Sequence, residues 1–214
     1  MSKSKGRFIV IEGLDGSGKT TAAKKLVEKL SKSGRAYYTK EPSDGDIGKW
    51  IRKNILESEG DKDNDLVALM FAADRLDHIN NEILPLIFEG VDVICDRYYY
   101  SNLAYQGDIT NTNSIFCYNS KAYEILNPDF VFFIDTPIDI CLERISNREK
   151  VEIYETKEKL ESVRELYLKS FDIFFSGLTY IIDGEQSKNE IVDNMMAKIK
   201  FWELIDSESD IVEH

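Results

Sequence analysis

Residues 13–20 read Gly-Leu-Asp-Gly-Ser-Gly-Lys-Thr, and this octet constrains the chain more than any other stretch. It follows an apolar run of strand length, Arg7–Glu12 (RFIVIE). It precedes Lys19–Leu30, where Ala22, Ala23, Leu26, Val27 and Leu30 recur at helical spacing. A strand, a glycine-rich turn closing on Lys-Thr and a helix together make a P-loop in its confirming context. The glycines let the backbone wrap a β-phosphate and turn successive N–H groups inward at a helix N-terminus. Gly13, Leu14, Asp15, Gly16, Ser17, Gly18, Lys19, Thr20 and Thr21 are therefore the candidate ATP-binding residues. Lys19 would span the β- and γ-phosphates, and Thr20 would offer its hydroxyl to Mg2+.

Further apolar runs of strand length alternate with segments of helical period. Ala36–Thr39, Val91–Cys95, Phe130–Ile134 and Thr179–Ile182 read as strands. Leu66–Leu84 reads as a helix with Leu69, Met70, Ala73 and Leu76 on or near one face, ended by Pro85 and Gly90. Pro137 can open a helix carrying Ile140, Cys141 and Ile145; Leu160, Val163, Leu166 and Tyr167 define another. Ile191–Leu204 is a last helix, with the acidic end, 203–214, expected to fray. The pattern predicts an α/β fold of the P-loop NTPase type: a parallel five-stranded sheet with helices on both faces and a short lid. Right-handed crossovers place the ligand at the carboxyl ends of the strands. No repeat or linker interrupts it, and 214 residues suit one domain over 1–214.

Charge limits the partners. Lys and Arg total 27 against 39 acidic residues, a net −12, which works against nucleic acid and anionic membranes. It also opposes nucleotides at long range, so a phosphate site must rest on local cations and aimed amides. Cys95, Cys117 and Cys141 have no CxxC spacing and read as thiols of a reducing compartment. Met1 to Gly6 has no apolar signal core, and no run approaches the roughly 18 apolar residues of a membrane span. A cytoplasmic location is expected.

A P-loop alone does not separate a kinase from a GTPase switch. The chain has no N-K-x-D, and its nearest D-x-x-G lies inside the loop itself. Three further stretches carry more. They are Glu41-Pro42 with Ile51-Arg52 downstream, Phe71-Ala72-Ala73-Asp74-Arg75, and Asp96-Arg97-Tyr98 running on to Ser101-Asn102-Leu103-Ala104-Tyr105-Gln106-Gly107. With E-G-L-D-G-S-G-K-T-T at Glu12–Thr21, this chain resembles the thymidylate kinases, in the expected order over almost its whole length.

On residue chemistry alone, Phe71 and Arg75 share a helical face, where a ring can stack on a pyrimidine and a guanidinium can donate to a carbonyl. Core packing for Phe71 and an ion pair with Asp74 or Asp77 for Arg75 are the alternatives. Asp96 follows an apolar strand, where a Walker-B-type carboxylate holds Mg2+ directly or through water, unless it only pairs with Arg97 at the strand end. The resemblance implies ATP and dTMP as substrates and a homodimer. It assigns Phe71 and Arg75 to the thymine ring, Asn102 to the base, Asp15 to the 3′-hydroxyl and Tyr105 to the sugar. Arg97, Arg52 and the Pro42 loop go to the acceptor side.

Phosphoryl transfer is mostly positioning and charge neutralisation, so a mobile cation is expected. The lid, about 144–155, supplies Arg144, Arg148 and Lys150, with Arg144 a further candidate ATP-binding residue and Arg148 the candidate catalytic residue beside Lys19, Arg97 and Asp15. Departures from the family pattern fall here and nearby. Ile153 replaces an arginine of D-R-[FY]-E, Gly16 stands where some members carry arginine, and Lys40-Glu41-Pro42-Ser43-Asp44-Gly45 replaces R-E-P-G-G-T. A kinase for another nucleoside monophosphate or a deoxynucleoside, and a silent nucleotide-binding protein, are the competing readings.

Overall fold

In a computed structural model describing residues 5–58, 60, 62–108, 111–147, 156–173 and 178–212, the alternation of side chains along buried strands decides the layering. Strand β1 (Phe8–Gly13) is buried along its whole length. Phe8 and Val10 face one layer, Ile9 and Ile11 the other, as a two-residue period requires. β3 (Asp92–Asp96) and β4 (Phe130–Asp135) divide in the same way: Val93, Cys95, Val131 and Phe133 on one side, Ile94, Phe130, Phe132 and Ile134 on the other. Burying such a side chain contributes about 1.5–3 kcal/mol, which helices on both faces secure.

With β2 (Ala36–Lys40) and β5 (Leu178–Asp183), the strands form an all-parallel five-stranded sheet in the order β2-β3-β1-β4-β5. Helices α1 (Lys19–Leu30) and α9 (Lys188–Val212) cover one face through Leu26, Leu30, Val192, Met195 and Ile199. The other face carries α3 (Asn64–His78), α4 (Leu84–Phe88), α5 (Tyr99–Gln106), α6 (Thr112–Ile125), α7 (Ile138–Ser146) and α8 (Lys157–Ile173). A short α2 (Asp46–Ile51) runs into a wide turn, Arg52–Leu56, and packs Ile51 and Ile55 on Val67 of α3. Register sets Ile11 opposite Asp96 and Gly13 opposite Ile134, so the phosphate loop and Asp96 emerge together at the carboxyl edge.

Several expectations need correction. Leu69 and Ala73 do not face the core of α3; Leu69 is 46% exposed. The buried face is Val67, Ala68, Ala72, Asp74, Arg75 and His78, partly polar because Asp74 meets Ser43, Arg75 meets Glu41 and His78 meets Thr39 of β2. Pro85 does not end that helix either. The chain continues through a wide turn, Ile79–Ile83, into α4, whose first turn accepts a proline because its N–H needs no helical partner. The last helix does not end at Leu204 but runs through the acidic residues to Val212.

Candidate active site

Helix α1 begins directly from the phosphate loop, with Gly18 at its N-cap in the left-handed region at φ 95°. Gly16 is also left-handed (φ 80°), and a Cβ there would meet the Cys141 carbonyl oxygen at 2.4 Å. This loop geometry thus excludes any side chain, arginine included, at position 16. Thr136 Oγ1 donates to the Ser17 carbonyl at 3.0 Å, and Arg144 Nη1 donates to the Gly16 and Ser17 carbonyls at 3.1 and 3.3 Å. Gly16 through Ala22, Arg144, Gly184, Gln186, Lys188 and Ile191 enclose a cleft over the N-terminus of α1.

Thr20 Oγ1 donates to Asp96 Oδ2, so the loop hydroxyl and the strand-end carboxylate share one point. Asp96 Oδ1 is buried and has no hydrogen-bond partner among the described residues. A pair of hard oxygens at the mouth of a phosphate cradle, one of them unsatisfied, fits Mg2+.

Lys19 Nζ donates to the Leu14 carbonyl at 3.2 Å and to Asp15 Oδ1 at 3.1 Å. Asp15 also accepts from Arg97 Nη2 and, at 2.8 Å, from the Tyr105 hydroxyl. Burial opposes charge on Asp15, but Arg97, Lys19 and Tyr105 together hold its carboxyl well below the usual carboxylate range. Arg97 itself is a non-glycine residue at φ 76°, a conformation that costs about 1–3 kcal/mol and is retained where surroundings over-determine it. Here its N–H donates to Ile11 O at 3.0 Å and Nη1 donates to Ser101 Oγ at 3.1 Å and Tyr167 Oη at 3.3 Å. Ser101 and Tyr167 are in turn held by Glu12, which accepts from Ser101 Oγ at 2.7 Å, Tyr167 Oη at 2.9 Å and the Tyr98 N–H at 2.8 Å. Burial nonetheless raises the Glu12 pKa.

A second cavity, on the side expected to take the acceptor, is lined by Asp15, Glu41, Pro42, Leu56, Phe71, Arg75, Arg97, Tyr98, Ser101, Asn102, Tyr105 and Gln106. Arg75 is 1% exposed and pairs with neither Asp74 nor Asp77 in a surface bridge. Its Nε and Nη2 donate to Glu41 Oε2 at 2.8 and 2.6 Å, and Nη1 donates to Asn119. Glu41 also faces the His78 ring, whose Nδ1 lies 3.4 Å from Oε1.

A family comparison matches residues 11–195 to thymidylate kinase. That decides the assignment. This chain belongs to the thymidylate kinase family. It is 40% identical over 203 residues to a probable thymidylate kinase of Pyrococcus horikoshii, covering 92% of this chain and 97% of the relative. A probable thymidylate kinase of Methanocaldococcus jannaschii is 40% identical over 162 residues, 76% of this chain and 80% of the relative. The thymidylate kinase of Brachyspira hyodysenteriae is 34% identical over 198 residues, 92% and 94% of the two chains.

As a thymidylate kinase family member, the chain brings its P-loop and family motifs to one carboxyl edge. Arg52 is the exception: it is not among the residues lining the acceptor cavity. Its Nη1 donates to the Pro42 carbonyl at 2.6 Å and Nη2 to Asp44 at 3.0 Å. Arg148 and Lys150 lie outside the described residues. Sequence reasoning missed the roles of Glu41, Ser101 and Gln106 although it quoted the motifs containing them, and it missed Asn119, Gln186 and Lys188 altogether. Gln186 and Lys188 follow Ile182-Asp183-Gly184 at a strand end, the one signal that points to them.

Proposed function

We infer that this chain transfers the γ-phosphoryl group of ATP to dTMP, giving dTDP and ADP. The observation that carries this is a single connection: Asp15, within the phosphate loop, bonds to Arg97 and Tyr105, which line the second cavity. Two cavities lined by consecutive residues of one loop, Asp15 in the second and Gly16 onward in the first, can aim two phosphates at each other. An oxygen of the dTMP phosphate attacks the γ-phosphorus, the bond from that phosphorus to the ADP oxygen breaks, and no proton need be gained or lost.

The residue roles are part of the proposal. Gly13 to Thr21 cradle the ATP phosphates with Lys19 as the local cation, and Arg144 braces the loop from behind. Arg97 holds the acceptor phosphate, Tyr105 the sugar, Asp15 the 3′-hydroxyl, and Phe71, Arg75 and Asn102 the base. Pro42 walls the acceptor cavity, and Arg52 acts from its rim. Thr20 and Asp96 would hold Mg2+, which when bound supplies charge neutralisation to the phosphate oxygens. Arg148 of the lid is the proposed transition-state cation, supported by Lys150; Arg148→Ala should lower kcat with little change in KM for dTMP.

A homodimer, a single domain over 1–214 and a cytoplasmic setting complete the reading. Exposed Leu66 and Leu69 on α3 offer apolar surface to a second copy. The free cysteines suit a reducing compartment, and among the described residues no helix is long and apolar enough to cross a membrane. The net −12 gives no basis for nucleic-acid binding.

The deciding experiment is a coupled ADP-release assay with dTMP, dUMP, UMP, dCMP and thymidine. Preference for dTMP supports the proposal. Preference for another acceptor would reassign the cavity, and no ADP release with any of them would overturn the kinase reading.

A further inference from the structure

Asn119 stands one layer behind the acceptor cavity, on α6, and is as deeply buried as Asn102. Its Oδ1 accepts from the Arg75 guanidinium. Its Nδ2 donates to the Ile115 carbonyl and to Asn102 Oδ1, both at 2.8 Å. Asn102 then donates from Nδ2 to Gln106 Oε1 at 3.0 Å. Arg75, Asn102 and Gln106 line the cavity, whereas Asn119 only connects them.

An amide can turn end for end with little change of shape, exchanging a donor for an acceptor. Here that freedom is removed at the start of the chain of bonds. Arginine only donates, so the Asn119 atom facing Arg75 must be the oxygen. A backbone carbonyl only accepts, so the atom facing Ile115 must be the nitrogen. Both constraints set Asn119 the same way round. Its nitrogen then fixes the Asn102 oxygen, and the Asn102 nitrogen fixes the Gln106 oxygen. What Gln106 retains for the cavity is its Nε2, a donor.

We propose that Asn119 is a positioning residue that sets the donor–acceptor polarity of the cavity wall, so that the site selects a pyrimidine bearing a carbonyl rather than an amino group there. This rests on the reading that the cavity takes the base of the acceptor nucleotide. A keto base meets the wall's donors with lone pairs. An amino base sets N–H against N–H, and polar pockets reject analogues strongly when such groups are left unpaired.

The test compares kcat/KM for dTMP and dCMP in the wild type, Asn119→Leu and Asn119→Asp. Leucine removes both constraints and frees Asn102 and Gln106 to turn; the dTMP:dCMP ratio should fall by about tenfold or more, within the range that polar pockets command, with KM for ATP unchanged. Aspartate still accepts from Arg75 but sets oxygen against both the Ile115 carbonyl and Asn102; the carbonyl cannot adapt, whereas Asn102 can turn to donate and reverse Gln106 in its wake. With it, dCMP turnover should rise in absolute terms while dTMP turnover falls, an outcome that mere loosening cannot produce. Each ratio is taken within one preparation, so partial unfolding cancels. If a variant is inactive on both, calorimetric affinities for the two nucleotides supply the same ratio. Equal losses on dTMP and dCMP, or an unchanged ratio, overturn the proposal. A wild type that fails to phosphorylate dTMP overturns the reading of the cavity itself and takes the proposal with it.

Discussion

Arg97, just beyond β3, donates from its guanidinium to the carboxylate of Asp15 inside the phosphate loop. The pair joins the two halves of the site across the sheet edge. It also explains why a carboxylate is tolerated beside a bound triphosphate: Lys19, Arg97 and Tyr105 already satisfy it. Asp15 therefore adds little net negative charge where phosphates must approach.

Arg97→Ala removes a donor from the wall of the second cavity and leaves buried Asp15 with Lys19 and Tyr105 alone. KM for dTMP should rise much more than KM for ATP. Breaking a buried pair typically costs about 3–5 kcal/mol, and the two remaining partners place the expected loss at the lower end. Steady-state kinetics with each substrate varied in turn, beside denaturant melts, would check both parts. Equal KM changes would remove Arg97 from the acceptor site.

Lys19→Ala should lower kcat by at least the order of 10²–10³ associated with one aimed transition-state donor. The fold should survive, because α1 is anchored by Ala22, Ala23, Leu26 and Leu30 rather than by Lys19. Turnover measured alongside a cooperative thermal melt separates the two effects. Retained activity in the variant would break the P-loop assignment.

The features most legible in the sequence are those that local chemistry fixes. The glycine spacing of 13–18, between an apolar strand and an amphipathic helix, marks a phosphate cradle, and the runs of β1, β3 and β4 are apolar on both faces because both are covered. The α3 face was misread for a physical reason. Periodicity finds the apolar stripe, whereas the inward stripe of α3 includes Asp74, Arg75 and His78, satisfied by Glu41, Ser43 and Asn119. Asn119 could not be found at all, since a polar residue mid-helix looks like surface until the element it packs against is known. Arg52 reads as a phosphate ligand by its motif, yet its guanidinium is engaged by Pro42 and Asp44.

His78 gives a pH signature. Burial works to lower its pKa, but hydrogen bonds with Glu41 and Glu82 override this and raise it from 6.5 to about 9. Its raised folded-state value means the imidazolium contributes stability that is fully present below about pH 6.5 and is lost as pH rises through about 9. The wild type should therefore lose stability between pH 7 and 9.5 relative to His78→Gln, whose profile should be flatter in that window. Urea midpoints at half-unit intervals would measure it. Parallel profiles for the two proteins would show that His78 is neutral when folded.

Gly48 tests whether the loop after β2 belongs to the acceptor site. A Cβ there would meet the Ser43 carbonyl oxygen at 2.0 Å and its nitrogen at 2.7 Å. Ser43 cannot simply move away, because Asp74 accepts from its N–H at 2.7 Å and from its hydroxyl at 2.6 Å. Gly48→Ala must therefore shift backbone, and overpacking of this kind typically costs about 1–3 kcal/mol. The displaced residue adjoins Pro42, which lines the acceptor cavity. KM for dTMP should rise while KM for ATP stays near its original value. Gly34→Ala, where an added Cβ meets nothing within 4 Å, is the matched control and should change neither stability nor kinetics appreciably. A Gly48→Ala protein that is destabilised yet binds dTMP normally would detach this loop from the acceptor site and leave base and phosphate recognition to α3, α5 and Arg97.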